Sequence, residues 1–209
     1  MTKAQRVLLL LNSALICGFG LVYLARRNYE FIIYVGVIVF FVLLIVATRR
    51  KVNYTTGALV ALTVWAALHL AGGAIPVGDG RLYEVMLIRL SSRLPVFRYD
   101  QFVHIWGFGA ATVVMYCLLS RSLARNGVGP VALSVVLAMA GLGVGAFNEI
   151  VEFLVSSAVP ESGVGGYINT SLDLCADLMG ACLGVVYVQF RYVRGKPKSG
   201  APRNGPDPA

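Results

Sequence analysis

The chain alternates between long apolar runs and short polar connections. At ~1.5 Å of helical rise per residue, each of six runs is long enough to cross a hydrocarbon core of ~30 Å. A backbone inside lipid has to satisfy its own hydrogen bonds, so these runs predict helices rather than barrel strands. The predicted spans are Val7–Leu24, Phe31–Thr48, Tyr54–Ile75, Phe102–Leu119, Val131–Ser157 and Leu172–Phe190. The pattern therefore predicts an all-α, polytopic transmembrane helical bundle.

The composition agrees with a membrane domain and excludes an ordinary soluble one. Hydrophobic residues make up 57% of the 209 positions and charged residues only 13%, whereas soluble domains carry about 25% charged residues. The mean hydropathy is +0.74. Residues 1–194 are predicted to form a single transmembrane domain. The segment 195–209 is rich in Pro, Gly and Lys, and it is predicted to be a disordered cytoplasmic tail.

The basic residues predict the orientation of the bundle and its partners. If the N-terminus is cytoplasmic, cytoplasmic segments hold 12 of the 18 Lys and Arg residues. Cytoplasmic loops carry an excess of basic residues, so this distribution favours both termini inside. The outer basic residues are Arg26, Arg27, Arg81, Arg89, Arg93 and Arg98. The net charge of +8 comes from short clusters between spans rather than from one basic face, which predicts membrane lipids and not nucleic acid as partners.

The fifth predicted span carries many small residues. They are Ala138, Ala140, Gly141, Gly143, Gly145 and Ala146. Small residues let helix backbones approach closely in lipid. We therefore expect the fifth span to lie at the centre of the bundle.

Ionisable residues are rare in the spans, and those present lie at one depth. A charge inside a span costs roughly 2.5–3.5 kcal/mol on insertion scales, so each one needs a reason. With the N-terminus inside, four helices of differing direction place seven such residues in the outer third of the membrane. They are His69, Asp100, His104, Glu149, Glu152, Asp173 and Asp177. The shared depth predicts that these side chains converge in one polar site.

The spacing of these residues places most of them in pairs on common helix faces. The pairs are Asp100/His104, Glu149/Glu152 and Asp173/Asp177. A cavity lined by carboxylates and imidazoles can bind a divalent cation through hard oxygen and nitrogen ligands. Paired carboxylates can instead hold a proton between them, because two like charges do not both ionise cheaply. The sequence leaves both interpretations open.

As a metal site, the constellation predicts three sets of roles and no cofactor other than the cation. The predicted metal ligands are Asp100, His104, Asp173 and Asp177. The predicted catalytic residues are Glu149 and Glu152. The predicted supporting residues are His69, Arg98 and Asn148.

Structural roles are the alternatives for several of these residues. Asp100 follows Pro95 and would cap the fourth helix, where the helix dipole favours an acid. Asp173 would play a similar part in the first turn of the sixth helix. His69 would be an interfacial histidine in contact with water. The two glutamates would pair with a loop arginine such as Arg98.

Three short motifs, taken in order, resemble a known family. They are Arg98-Tyr99-Asp100-Gln101-Phe102-Val103-His104, then Asn148-Glu149-Ile150-Val151-Glu152, then Tyr167 followed by Asp173-Leu174-Cys175-Ala176-Asp177-Leu178-Met179-Gly180-Ala181. Over residues 95–185 the chain resembles the YjdF-like family of uncharacterised bacterial inner-membrane proteins and, more distantly, VanZ-like membrane proteins. The resemblance implies a multi-pass protein of the bacterial cytoplasmic membrane but no established reaction. It departs from the family pattern at Thr170 and Ser171, where a further acid is expected.

Three functions are compatible with these observations. The favoured one is a membrane-embedded enzyme whose cation activates water or a lipid-linked group at the outer interface. Its substrate would be an envelope lipid or a lipid-linked headgroup. The second is a non-catalytic membrane component with a structural ion or a proton-sharing site. The third is an ion-coupled transporter, which requires polar groups along a crossing path. The inner halves of the predicted spans are apolar, and this argues against transport.

Overall fold

A computed structural model describes residues 1–126, 128–159 and 165–193, so the predicted tail at 195–209 lies outside the described residues. Within these ranges, six helices are long and apolar enough to cross a membrane. They are α1 (Lys3–Ala25), α2 (Tyr29–Thr48), α3 (Thr56–Ala74), α4 (Tyr99–Asn126), α5 (Pro130–Ala158) and α6 (Tyr167–Val188). The predicted all-α bundle is thereby confirmed, whereas its orientation stays a prediction.

The helices begin where the sequence supplies partners for their free backbone N–H groups. Thr2, Asn28 and Thr55 cap α1, α2 and α3 through side-chain oxygens that accept from the backbone three residues later. Pro130 occupies the first turn of α5, where a missing N–H costs nothing. Four of the six described spans therefore begin at local signals as well as at a change in hydrophobicity.

The connection between α3 and α4 is the most structured loop among the described residues. It contains a two-stranded antiparallel hairpin, β1 (Pro76–Val77) and β2 (Gly80–Arg81), followed by a 3-10 turn (Leu82–Glu84) that packs against α3 and α4. Further along, Met86 and Arg98 form an antiparallel bridge. The loop is thus fixed against the end of the bundle at which α4 begins.

The helix ends change one prediction about the acids. α6 begins at Tyr167, so Asp173 lies well inside the helix rather than in its first turn. The expected first-turn role of Asp173 is therefore wrong. Asp100 does lie in the first turn of α4, although its carboxylate also faces a buried side chain, as described below.

The centre of the bundle is α4, not α5 as the small residues predicted. α4 contacts α3, α5 and α6, and its contact with α6 is the most extensive in the described chain. Gly180 of α6 makes this possible, because a Cβ atom there would collide with the carbonyl oxygen of Ile105. Only part of the small-residue run in α5 is used for close approach. Gly145 faces the Asp177 side chain, whereas Gly143 faces open space.

Two apolar clusters hold the helices together. One lies in the half of the bundle that contains Tyr54 and Val188 and joins α3, α4, α5 and α6. The other is built around Tyr23, Phe31 and Leu70 and joins α1, α2 and α3. The buried ionisable residues lie beside the second cluster, where α4 and α6 begin and α5 ends.

Candidate metal and substrate site

His104 of α4 is the centre of a buried polar cluster. The residue is only 6% exposed. Its Nδ1 atom donates a hydrogen bond to Asp177 Oδ1 at 2.8 Å and lies 3.8 Å from Glu149 Oε1. The other ring nitrogen, Nε2, lies 3.6 Å from Asp100 Oδ1 and 3.9 Å from Glu152 Oε1. One imidazole therefore faces carboxylates from α4, α5 and α6.

Asp173 is held by two amides at the edge of the same cluster. It is fully buried, one helical turn before Asp177. Gln101 Nε2 donates to Asp173 Oδ1 at 3.0 Å, and Asn169 Nδ2 donates to Asp173 Oδ2 at 2.5 Å. Both oxygens are thus fixed in direction, although the carboxylate receives no cationic partner among the described residues.

The side chains form two overlapping groups that could hold a metal ion. In each group, one ligand atom per residue lies within 4.8 Å of the others. The groups are Asp100/His104/Asp173 and His104/Glu149/Glu152. Carboxylate oxygens and imidazole nitrogens in this arrangement are suitable ligands for a divalent cation. With Asp177, which is hydrogen-bonded to His104, six of the seven residues predicted to converge therefore do so.

The two glutamates of α5 are oriented by their neighbour Asn148. Its Nδ2 donates to Glu152 Oε1 at 2.8 Å and lies 3.5 Å from Glu149 Oε1. The other oxygen of Glu149, Oε2, is buried without a hydrogen-bond partner, and Asp177 Oδ2 is in the same position. Buried acceptors without donors cost about 1–3 kcal/mol each, more when charged. A bound cation or a proton at these two oxygens would therefore remove this cost.

The cluster contains more acid than base. Five carboxylates surround one imidazole in the part of the chain that the structure describes. An unpaired charge taken out of water costs several kcal/mol, so the excess negative charge has to be neutralised. A bound divalent cation and shared protons are the two chemical means of doing so. The cluster can therefore act as a metal site or as a proton-holding site.

A small cavity of about 90 Å³ adjoins the cluster. It is lined by Glu30, Phe31, Tyr34, His69, Arg81, Tyr83, Glu84, Arg98, Asp100, Glu152, Gly165 and Asn169. Asp100 and Glu152 belong both to this lining and to the cluster. The cavity therefore offers a compartment in which a bound molecule would meet the carboxylates.

His69 lies in the wall of this cavity and belongs to neither ligand group. Its ring stacks on Trp65, with centroids 5.3 Å apart, and meets the ring of Tyr34 edge-on. The Tyr83 hydroxyl forms a hydrogen bond with His69 Nδ1 at 2.5 Å, and burial raises the pKa of the Tyr83 phenol, so the hydroxyl keeps its proton. His69 is therefore packed among aromatic rings as a wall residue.

The structure does not pair Arg98 with the glutamates, so that structural alternative is wrong. Its backbone N–H donates to Gln101 Oε1 at 2.6 Å. Across residues 1–126, 128–159 and 165–193 it forms no salt bridge, and its Nε atom is buried without a hydrogen-bond partner. Arg98 lines the cavity together with Arg81.

The sequence did not predict the roles of Gln101, Asn169, Arg81 and Tyr83, or of further residues that line the cavity. Two of them carried a signal, because Asn169 lies one turn before Asp173 and Gln101 is adjacent to Asp100. Tyr83 and Arg81 carried none, because they lie in the loop before α4 and reach the cavity only through its folding.

The fold and the cluster define a multi-pass membrane protein with a buried carboxylate and histidine site at one end of its helical bundle. The chain belongs to the family described as predicted membrane protein (DUF2238), which matches residues 5–194. The YjdF-like resemblance corresponds to this family, whereas the link to VanZ-like proteins stays a prediction. No curated protein and no solved structure matches the chain significantly.

Proposed function

We propose that this protein is a metal-dependent enzyme of the bacterial cytoplasmic membrane, which acts on an envelope lipid or a lipid-linked headgroup. The observation that supports this proposal is the convergence of five carboxylates on His104 in a buried site. A divalent cation would neutralise the cluster and could activate a water molecule or polarise an oxygen of the substrate. Lipid headgroups lie at the depth of helix ends, where the cluster is found.

The hydrogen bonds favour distinct roles for the aspartates. Metal-bound histidines usually donate their second ring N–H to a carboxylate, which fixes the ring. Asp177 has this relation to His104 Nδ1. We therefore assign Asp177 as a positioning residue, and we assign Asp100, His104 and Asp173 as the ligands. The sequence had grouped Asp177 with the ligands.

We assign proton transfer to the two glutamates of α5, Glu149 and Glu152. Glu152 lies at 3.9 Å from His104 Nε2 and also lines the cavity, so it would contact both the cation and the substrate. A carboxylate in this position can accept a proton from attacking water. Asn148 would keep Glu149 and Glu152 in place through its amide.

The position of buried charge argues against the transporter alternative. Among the described residues, the buried Asp, Glu and His side chains are Glu30, His104, Glu149, Asp173 and Asp177. The other half of the bundle is filled by the apolar cluster that includes Val113, Leu137 and Val188. A carrier needs polar groups along a path across the membrane. In this half of the bundle the helices pack mainly through apolar side chains instead.

The test is the metal content of the untagged protein, purified in mild detergent without chelator and measured by elemental mass spectrometry. We expect near-stoichiometric metal in the unchanged chain and its loss in an Asp100→Asn/Asp173→Asn variant. The matched control is Asp79→Asn, which removes an exposed acid from the hairpin. No metal in the unchanged, folded chain would contradict the proposal and favour a proton-sharing cluster.

Metal content alone does not establish catalysis, so a second measurement is needed. The metal-loaded protein would be incubated with envelope lipid extract, and released headgroups would be followed by mass spectrometry. Turnover that is lost in Glu152→Gln supports the enzyme. A bound metal without turnover of any lipid would favour a non-catalytic component with a structural ion.

A further inference from the structure

The cavity beside the cluster has basic as well as acidic lining residues. Four carboxylates line it, those of Glu30, Glu84, Asp100 and Glu152, and Arg81 and Arg98 bring two guanidinium groups from the loop before α4. Glu30 is paired with Arg81, and Asp100 and Glu152 belong to the cluster. A guanidinium carries five N–H donors in a planar fork that matches the oxygens of phosphate. A cavity that places such groups next to a candidate cation site has the chemistry of an anion-binding compartment.

Arg98 is held in place through its backbone, and the Nε atom of its side chain has no hydrogen-bond partner. The antiparallel bridge to Met86 and the hydrogen bond to Gln101 Oε1 fix its backbone. Its Nε atom is buried and has no hydrogen-bond partner, and no salt bridge is formed within the described ranges. A buried donor without an acceptor costs roughly 1–3 kcal/mol, more when charged. A ligand oxygen that accepts a hydrogen bond from this Nε atom would therefore be bound favourably.

Arg81 is oriented toward the same cavity by two contacts. Its Nη1 atom lies 3.1 Å from Glu30 Oε2, and its guanidinium carbon lies 5.7 Å from the centre of the Phe31 ring. The side chain is about one-third exposed, so a ligand could reach it from the membrane surface. Glu30 therefore positions this charge at the accessible side of the cavity.

A second, larger cavity lies one to two helical turns away and is apolar. It has a volume of about 300 Å³ and is lined by residues of α1 to α5. On α2, Ile38 lines it four residues after Tyr34 of the small cavity, and on α3, Trp65 lines it four residues before His69. On α4, Gly107 lines it seven residues after Asp100 of the small cavity. The two cavities are therefore stacked along the helix axes, polar above apolar.

We propose that the substrate site binds a phosphate-bearing lipid, with the phosphate between Arg81 and Arg98 and an acyl or isoprenoid chain in the apolar cavity. This inference rests on the proposed enzymatic function and names its substrate class. A phosphate held by two guanidinium groups has further oxygens that could reach a cation at Asp100. The stacking of the cavities matches an amphiphile whose headgroup lies near the helix ends and whose chain runs into the bundle.

The test is lipid binding measured by native mass spectrometry on the full chain in dodecyl maltoside. The probes are dioctanoyl phosphatidic acid, dioctanoylglycerol, which lacks the phosphate, and glycerol 3-phosphate, which lacks the chains. We expect the phosphatidic acid to bind at least about tenfold more tightly than either fragment probe, because each lacks one half of the recognition.

The variants separate the guanidinium from general charge. Arg98→Gln is expected to weaken phosphatidic acid binding at least about tenfold, and Arg98→Lys is expected to be intermediate because it keeps the charge but loses the fork. Arg93→Gln is the matched control, since Arg93 is an exposed arginine of the same loop. If Arg98→Gln fails to fold, the comparison of Arg98→Lys with Arg93→Gln decides.

Equal binding by the unchanged chain and the folded Arg98 variants would overturn the inference. If dioctanoylglycerol binds as tightly as phosphatidic acid, recognition of the phosphate is contradicted. If glycerol 3-phosphate binds as tightly as phosphatidic acid, recognition of the lipid chain is contradicted. Metal content is measured on the same preparations. Bound metal without phosphatidic acid binding overturns this inference alone, whereas Arg98-dependent lipid binding without metal overturns the metal centre alone.

Discussion

Asp177 Oδ1 accepts a hydrogen bond from His104 Nδ1 at 2.8 Å across the interface between α6 and α4. The bond is possible because Gly180 brings the two helices close together and Gly145 leaves room for the aspartate. It turns Nε2 toward Asp100. The orientation of the imidazole is therefore set by the packing of α6 against α4, and not by α4 alone.

Asp177→Asn tests this positioning role. The amide has nearly the same shape but no charge, so it holds the imidazole less firmly in the orientation that leaves Nε2 free. Loss of such an outer carboxylate typically weakens metal binding by about 10–100-fold. Metal titration against a competing chelator would measure the change, with Asp79→Asn as the control. Unchanged affinity would show that Asp177 does not position the ligand.

Gly145→Ala tests the close approach of α5 to α6. A Cβ at this position would collide with the Asp177 carboxylate, whereas a Cβ at Gly143, two residues earlier, meets nothing within 4 Å. Overpacking of this kind costs about 1–3 kcal/mol. Thermal unfolding in detergent, followed by circular dichroism, should show a lower midpoint for Gly145→Ala than for Gly143→Ala. Equal midpoints would contradict the packing described.

Tyr83→Phe tests the wall of the small cavity. The change removes only the hydroxyl that donates to His69 Nδ1 and leaves the ring in place. An unsatisfied buried nitrogen is expected to cost about 1–3 kcal/mol of stability. The thermal midpoint is the measurement, and Tyr29→Phe is the control because Tyr29 is 61% exposed. A decrease of equal size in both variants would assign no role to the hydroxyl.

Cysteine labelling tests the predicted orientation with both termini inside. In a background without the four native cysteines, Asp79→Cys and Lys51→Cys place single thiols on exposed connections at opposite ends of α3. The excess of basic residues around Lys51 predicts that this end is cytoplasmic. A membrane-impermeant maleimide applied to intact cells should label position 79 and not position 51. Labelling of position 51 and not of position 79 would show that the bundle has the opposite orientation and that the cluster lies near the cytoplasmic face.

Much of the architecture was readable because lipid simplifies the physics. Each span has to satisfy its own backbone, so length and apolarity fix helices such as α2 without knowledge of any neighbour. The start of α6 was harder to read. Its first turn, from Tyr167, is too polar to extend the apolar run, and the helix therefore begins earlier than hydrophobicity alone predicts.

The rarity of charge in the spans was enough to nominate the site. A buried acid is expensive in a membrane, so each of Asp100, Glu149 and Asp177 had to have a partner or a purpose. Their common depth also predicted convergence, which the structure shows around His104. The sequence could not show which carboxylate orients the imidazole and which ones face it from the other side.

The number of spans and the identity of the polar side chains were predictable from the amino-acid sequence, because they follow from local hydrophobicity and from the cost of charge in lipid. The central position of α4, the bond from His104 to Asp177, and the shared cavity of Arg81 and Arg98 became apparent from the folded chain. These relations depend on contacts between residues far apart in the chain. They are set by how closely helix backbones approach and where a long loop folds back, which no local pattern encodes.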